Sequence, residues 1–388
     1  MTCRALRLPQ ADGTVRRFEP TSAGGSFEPP TEPIRSRVAY AAAHVVRDPL
    51  VRGEGAEAID WDATLAFRDH LWDHGLGVAE AMDTAQRGMG LPYDATRTLI
   101  ARSCERARAR GGLVACGVGT DQLPAGGDVD LDTIAEAYEA QAEHVEACGG
   151  RVILMASRHL AAAARGPDDF ASVFDRVVAQ VAEPLIVHWL GPMFDPALEG
   201  YWGSSDLDEA ESVCLDLITR HAKRIDGIKL SLLDDRREVA FRARLPDGVR
   251  MYTGDDFHYP ELILGDGDAY SDALLGIFDP IAPAASAALR ALDAGDEERY
   301  RSVLAPTVPL SRKIFEAPTL YYKTGVVFLA YLNGFQSHFR MVGGLESARD
   351  VVHLAEVFAL ADAAGLLRDP DLATERMGLI LRLSGVDP

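Results

Sequence analysis

Short apolar runs begin near Val38, Leu76, Leu113, Val152, Leu185, Ile225, Val249 and Asp272, and this recurrence limits the fold more than any other feature of the chain. Each run is followed by a segment whose apolar residues return at three- and four-residue spacing, as in 131–148, 170–181 and 207–222. The first six runs are spaced by somewhat under or about forty residues, enough for a strand, a helix and two loops; the last two intervals are shorter. Strand followed by helix, repeated, calls for a parallel sheet, because a parallel neighbour is reached only through a crossover. Eight such units predict an α/β fold of the (β/α)8 TIM-barrel type, with an open doubly wound sheet as the alternative.

Both ends of the chain depart from this rhythm. Near the N-terminus, Ala11-Asp12-Gly13 lies between two short alternating runs and signals a β-hairpin, followed by a Gly/Pro/Ser-rich connector over residues 21–33. Beyond the eighth strand, 283–292, 297–315, 319–335, 346–365 and 370–383 all read as helical. The expected division is an N-terminal hairpin extension over 1–35, the barrel over 36–295 and a C-terminal helical appendage over 296–388. The two appendages read as packing and oligomer surface.

Charge and cysteine content narrow the function. A net charge of −20 opposes a nucleic-acid or anionic-membrane partner. No apolar stretch approaches the roughly 18 residues of a spanning helix, and Met1-Thr2-Cys3-Arg4 does not lead into the apolar core of a signal peptide. Cysteines 3, 104, 116, 148 and 214 are odd in number and lack CxxC spacing, which reads as reduced thiols in a cytoplasmic protein.

In a barrel of this kind chemistry gathers where the strands end. Polar residues fall there on five separate runs: Tyr40-Ala41-Ala42-Ala43-His44, Val78-Ala79-Glu80-Ala81-Met82-Asp83-Thr84, Leu154-Met155-Ala156-Ser157-Arg158-His159, Val187-His188 and Thr253-Gly254-Asp255-Asp256-Phe257-His258. Each has a structural alternative. His44 and His188 suit satisfied core histidines, Arg158-His159 suits the start of a solvated loop, and Asp83 and Asp255 suit helix caps.

Within the sixth run, Asp226-Gly227-Ile228-Lys229-Leu230-Ser231 holds one of only four lysines in the chain. Period-two alternation puts Ile228, Leu230 and Leu232 on one side and Gly227, Lys229 and Ser231 on the other. An amine among apolar neighbours loses hydration, which favours the neutral form that condenses with a carbonyl. A structural lysine paired with a carboxylate would satisfy the same pattern.

Taken in order, these segments resemble the dihydrodipicolinate synthase and N-acetylneuraminate lyase superfamily of Schiff-base TIM-barrel lyases, and within it a longer, uncharacterised branch. Gly227-Ile228-Lys229 is similar to the family's G-I-K, which carries the imine-forming lysine. Asp83-Thr84-Ala85-Gln86 stands where the family has G-T-T-G-E. Gly117-Val118-Gly119-Thr120-Asp121 resembles the third-strand motif G-x-G-S/A-N, and Gly254-Asp255-Asp256 the seventh-strand G-D-D. Ile281-Ala282-Pro283, Phe339-Arg340-Met341-Val342 and Ala363-Ala364-Gly365-Leu366-Leu367 resemble the remaining family motifs, so that the likeness runs from about 37 to 367.

The resemblance implies a class I lyase, aldolase or hydro-lyase in which Lys229 attacks a ketone, with no cofactor and no metal, and a homo-dimer or tetramer. Two departures bear on the substrate. The family's proton-relaying tyrosine is replaced at Ala156-Ser157-Arg158-His159, and Asp83 replaces a threonine that helps hold a carboxylate. A carboxylate at 83 repels another carboxylate and suits hydroxyls, which favours a keto-sugar or polyhydroxylated 2-keto acid. His188 is then the first choice of general acid/base and His159 the second. Arg158 would bind an anionic group, and Asp83, Thr84, Asp255, His258 and His44 would contact hydroxyls or orient the base. A metal-dependent aldolase or isomerase using His44, His188, Asp255, Asp256 and His258, and a non-catalytic sugar-binding barrel, remain as alternatives.

Overall fold

The chain begins with two antiparallel strands, β1 (Leu6–Pro9) and β2 (Val15–Phe18), whose register runs from Leu6 opposite Phe18 to Pro9 opposite Val15. Asp12 fixes the turn between them by accepting from the backbone N–H and hydroxyl of Thr14. The computed structural model describes residues 5–388 except 22, 23, 25, 26, 54 and 127, so Cys3 and part of the Gly-rich connector lie outside the described residues.

Eight further strands follow: β3 (Ala39–Ala42), β4 (Gly77–Glu80), β5 (Val114–Val118), β6 (Arg151–Leu154), β7 (Leu185–Leu190), β8 (Ile225–Ser231), β9 (Arg250–Thr253) and β10 (Asp272–Leu275). Each pairs in parallel with its successor, and β10 pairs with β3 to close a barrel. This is the (β/α)8 barrel the recurrence predicts, with an N-terminal hairpin and a C-terminal helical part. The strands are buried on both faces, which is why they read as apolar runs and only weakly as alternating ones. Inside the barrel Tyr40, Ala42, Ala79, Ala115, Ile153, Ile186, Tyr252 and Leu274 form a core of their own, distinct from the larger core between strands and helices. Small residues on β3 to β5 leave the space that the Tyr40 and Tyr252 rings fill, 6.2 Å apart in edge contact.

The helix Ala282–Asp293 completes the eighth unit. After it come Glu297–Leu304, Thr307–Ile314, Tyr322–Leu332, Val351–Ala363 and Pro370–Leu383. The run 297–315 is therefore two helices where one was expected. Pro306 has no N–H to donate, so the first helix ends before it and the second begins at Thr307. Every residue of Tyr322–Leu332 is buried, which makes it the central helix of the appendage. The hairpin docks on these helices: the Phe18 ring meets Phe358 at 5.6 Å, and Asp362 accepts from the backbone and hydroxyl of Thr21. The two ends of the chain thus pack against each other. Among the described residues no helix is long and apolar enough to cross a membrane.

Candidate active site

The strand ends converge on a cleft of about 290 Å³, whose walls leave room for about one water molecule. Lys229, on β8, projects into it with 8 % of its surface exposed. Gly254 makes this possible, because a Cβ there would stand 2.2 Å from the Ser231 hydroxyl and 2.9 Å from Lys229 Cε. In register, Lys229 lies opposite His188 on β7 and Tyr252 on β9. Its ammonium makes no hydrogen bond or ion pair with any described side chain. Burial pulls its pKa below the ordinary lysine value, while the charges of Asp256 and Asp83 act in the opposite sense.

Asp256 lines the same cleft, and its Oδ1 accepts from the backbone N–H of Ile277 at 2.8 Å. Burial pushes its carboxyl up to about 7, partly offset by the Ile277 N–H and by Lys229. Lysine and aspartate therefore each lean toward the neutral state, as expected when opposite charges are held in a dry site without direct contact.

Asp83 and Thr84 reach the cleft from a single turn, Asp83–Ala85, after β4. Non-glycine residues in left-handed conformation stand on either side of this turn, Ala81 at φ 54° and Gln86 at φ 65°. Such conformations cost of order 1–3 kcal/mol each and persist where surrounding structure holds them. Gln86 is tied to the C-terminal region by its Oε1, which accepts from Gly343 N–H at 3.3 Å. Thr84 shares a hydrogen bond of 2.8 Å with the hydroxyl of Tyr322.

Tyr322 is the first residue of the buried C-terminal helix, and it also lines the cleft. Its ring stacks on Phe315 at 4.4 Å and meets Phe194, another lining residue, edge-on at 6.1 Å. Burial, reinforced by the Asp83 charge, holds its phenol well above the ordinary tyrosine value. The next residue, Lys323, is buried too, donates to the Leu320 carbonyl at 3.1 Å and is lowered to about 8 by burial.

The other residues singled out from sequence are distributed around this cleft. His188 is buried beside Lys229, with Nε2 3.3 Å from the Ser231 hydroxyl and Nδ1 without a partner. Burial, then the charge of Lys229, holds its pKa well below the usual histidine range, so the imidazole is neutral. It does not line the cleft. His44 is fully buried with Nδ1 2.8 Å from Asp279, and its ring packs on Phe67. Asp255 turns away from the mouth: its oxygens accept from the backbones of Phe257 and His258 and pair with the His258 ring at 2.9 Å. His159 sits at the rim between Thr120 and the Pro124 carbonyl, and Arg158 is half-exposed in an ion pair of 2.5 Å with Asp195. Among the described residues no three histidine, cysteine, aspartate or glutamate side chains come together as a metal site.

Tyr322, Asp256 and Ser231 complete the cleft, and none of them was among the residues given a substrate or acid/base role from sequence. A signal for Tyr322 was present: Tyr321-Tyr322-Lys323-Thr324 places polar groups, including one of four lysines, at the start of an otherwise apolar helix.

A family model described as "Protein of unknown function (DUF993)" matches residues 6–386. No curated protein matches the chain by sequence. Several solved structures share its fold. A prophage protein of the dihydrodipicolinic acid synthase family from E. coli K12, YagE, solved in complex with pyruvate, superposes with a TM-score of 0.66 at 13 % identity, covering 85 % of this chain and 99 % of that one. Dihydrodipicolinate synthase from Aquifex aeolicus gives 0.64 at 15 % identity, covering 85 % and 99 %. The enzyme from Bacillus clausii gives 0.57 at 15 %, covering 90 % and 98 %.

Proposed function

The chain belongs to that family of unknown function, and we propose that it is a class I, imine-forming carbon–carbon or carbon–oxygen lyase acting on a keto-sugar. One observation carries the reading. Lys229 lies in an enclosed cleft at the strand ends, without an ion-pair partner, in surroundings that favour its neutral form. A lysine serving the fold would have its ammonium satisfied at contact distance, as Lys323 is by the Leu320 carbonyl. The shared fold with dihydrodipicolinate synthases supports the same chemistry.

In this reading neutral Lys229 adds to the substrate ketone and water leaves, giving a protonated imine. That cation withdraws electrons from the neighbouring carbon, so a bond there breaks and an enamine forms. Asp256 stands ready to exchange a proton with the amine, since both lean toward neutrality in the resting site. The substrate class follows from the lining. Besides Lys229 the cleft presents Asp83, Asp256, Thr84, Ser231 and Tyr322 and no arginine. The Asp83 carboxylate would repel a bound carboxylate, whereas it and Asp256 hydrogen-bond readily to hydroxyls. A short keto-sugar therefore suits the lining better than a bare 2-keto acid, and its entry requires the cleft to widen.

Borohydride reduction tests this reading. With dihydroxyacetone as probe, intact-mass analysis is expected to show a single stable adduct that Lys229→Ala abolishes. An unmodified chain under conditions that label a known imine-forming aldolase contradicts it.

A further inference from the structure

We propose that Tyr322, delivered to the barrel mouth by the C-terminal helical region, is the general acid of this site, and that Thr84 holds the phenolate it leaves behind. The inference rests on the imine reading and deepens it by naming the proton donor. An enamine must receive a proton on carbon before product can leave, and a positioned donor is worth typically 10²–10⁴-fold.

The cleft itself narrows the choice. Of the groups that line it, Lys229 is occupied as the imine, Asp256 is assigned to proton exchange with that amine, and Asp83 to the substrate hydroxyls. Ser231 carries an alkyl hydroxyl, a poorer acid than a phenol. The histidines are not among the lining groups: His188 is held by Ser231, and His159 by Thr120 and the Pro124 carbonyl. Tyr322 faces the cleft with its hydroxyl 2.8 Å from Thr84, and Phe315 and Phe194 fix its ring from two sides. Thr84 in turn sits in the turn flanked by the left-handed residues Ala81 and Gln86, so the donor and its supporting hydroxyl are both held in place. Burial keeps the phenol protonated in the resting site, so release of its proton depends on the support of Thr84.

In the protonation step the enamine C=C electron pair forms a C–H bond with the Tyr322 hydroxyl proton; the O–H bond breaks, and the imine cation is regenerated with Tyr322 as phenolate. Thr84 donates a hydrogen bond to that oxygen. Water then adds to the imine carbon, the C–N bond breaks to give ketone and free Lys229, and the one proton released returns to Tyr322.

Two readouts on the full chain separate this inference from the reading beneath it. The first is borohydride trapping of dihydroxyacetone, with pyruvate in parallel; the second, without borohydride, is exchange in D2O of the C–H protons next to the carbonyl of whichever ketone traps, followed by proton NMR. Tyr322→Phe keeps the ring and its stacking, so trapping is expected to persist while exchange falls by about 10²–10⁴-fold. Thr84→Val is expected to keep trapping and lose about tenfold in exchange, a milder effect because only one hydrogen bond to the phenolate is removed. Exchange within about threefold of wild type in Tyr322→Phe overturns the relay and leaves the imine reading intact. Absence of Lys229-dependent trapping in the wild-type chain overturns both.

Discussion

The two ends of the barrel both carry charged groups and tyrosines and treat them in opposite ways. At the N-terminal floor the charged groups are paired directly. Tyr252 donates to Asp226 at 2.6 Å, Arg151 pairs with Asp226 at 3.2 Å, and Arg250 pairs with Asp272 at 2.8 Å. Asp272 also accepts from the backbone of Val38. At the C-terminal mouth, Lys229 faces Asp83 and Asp256 across a cleft without touching either. Matched groups at the floor hold strands in register. The unpaired Lys229 at the mouth costs stability, which is the pattern expected of a group whose partner is a substrate. Residue type alone does not separate these two ends; only the pairing does, and pairing is invisible in a sequence.

Substitutions at the two ends should therefore behave differently. The largest effect belongs to the mouth: Lys229→Ala should lower turnover of a keto-sugar by on the order of 10⁴-fold or more, as loss of a nucleophile does. Lys229→Met, which removes an unmatched buried cation, should leave Tm unchanged or raised in calorimetry. A marked fall in Tm would class Lys229 with the floor residues. Next in size is a pH effect. Lys229 must be neutral to react, so trapping should rise with pH through a midpoint below the ordinary lysine value. Asp256→Asn removes the charge that favours the ammonium, so the midpoint should move further down, by roughly one unit or more; an upward movement, read from trapping rate against pH, would refute the coupling.

The floor supplies the converse. Tyr252→Phe leaves Asp226 short of a buried donor and should cost about 1–3 kcal/mol in denaturant unfolding, with little change in turnover. A large loss of activity at unchanged stability would erase the distinction between the two ends. The smallest effects are expected at the rim. Arg158→Ala and His159→Ala touch groups already satisfied by Asp195, Thr120 and Pro124, and steady-state kinetics should change by less than about threefold.

The architecture was legible because it is written in periodicity. The eight strands begin within a residue or so of the positions that the apolar runs mark. The split of 297–315 at Pro306 was missed, although the proline itself carries the reason. The site was legible only in part. Lys229, Asp83 and Thr84 sit on strand ends, where alternation and the barrel rule both point, and the structure brings all three to one cleft. Asp256 could not be told from Asp255 in Gly254-Asp255-Asp256, because which of two adjacent carboxylates caps the following turn depends on loop geometry. Tyr322 lies 93 positions beyond Lys229 in the numbering, in a helix outside the barrel repeat. Its approach to Thr84 is a tertiary contact that no local pattern encodes. His44 and His188, singled out by their positions at strand ends, are held in the interior by Asp279 and Ser231.

Whether the Lys229 amine captures a ketone is tested most directly by a crystal of the wild-type chain soaked with dihydroxyacetone. Capture predicts unbroken density from Lys229 Nζ to the carbonyl carbon, with the sugar hydroxyls toward Asp83 and Asp256. Ligand density that stops short of Nζ, or an adduct on any other lysine while Lys229 stays free, would contradict it.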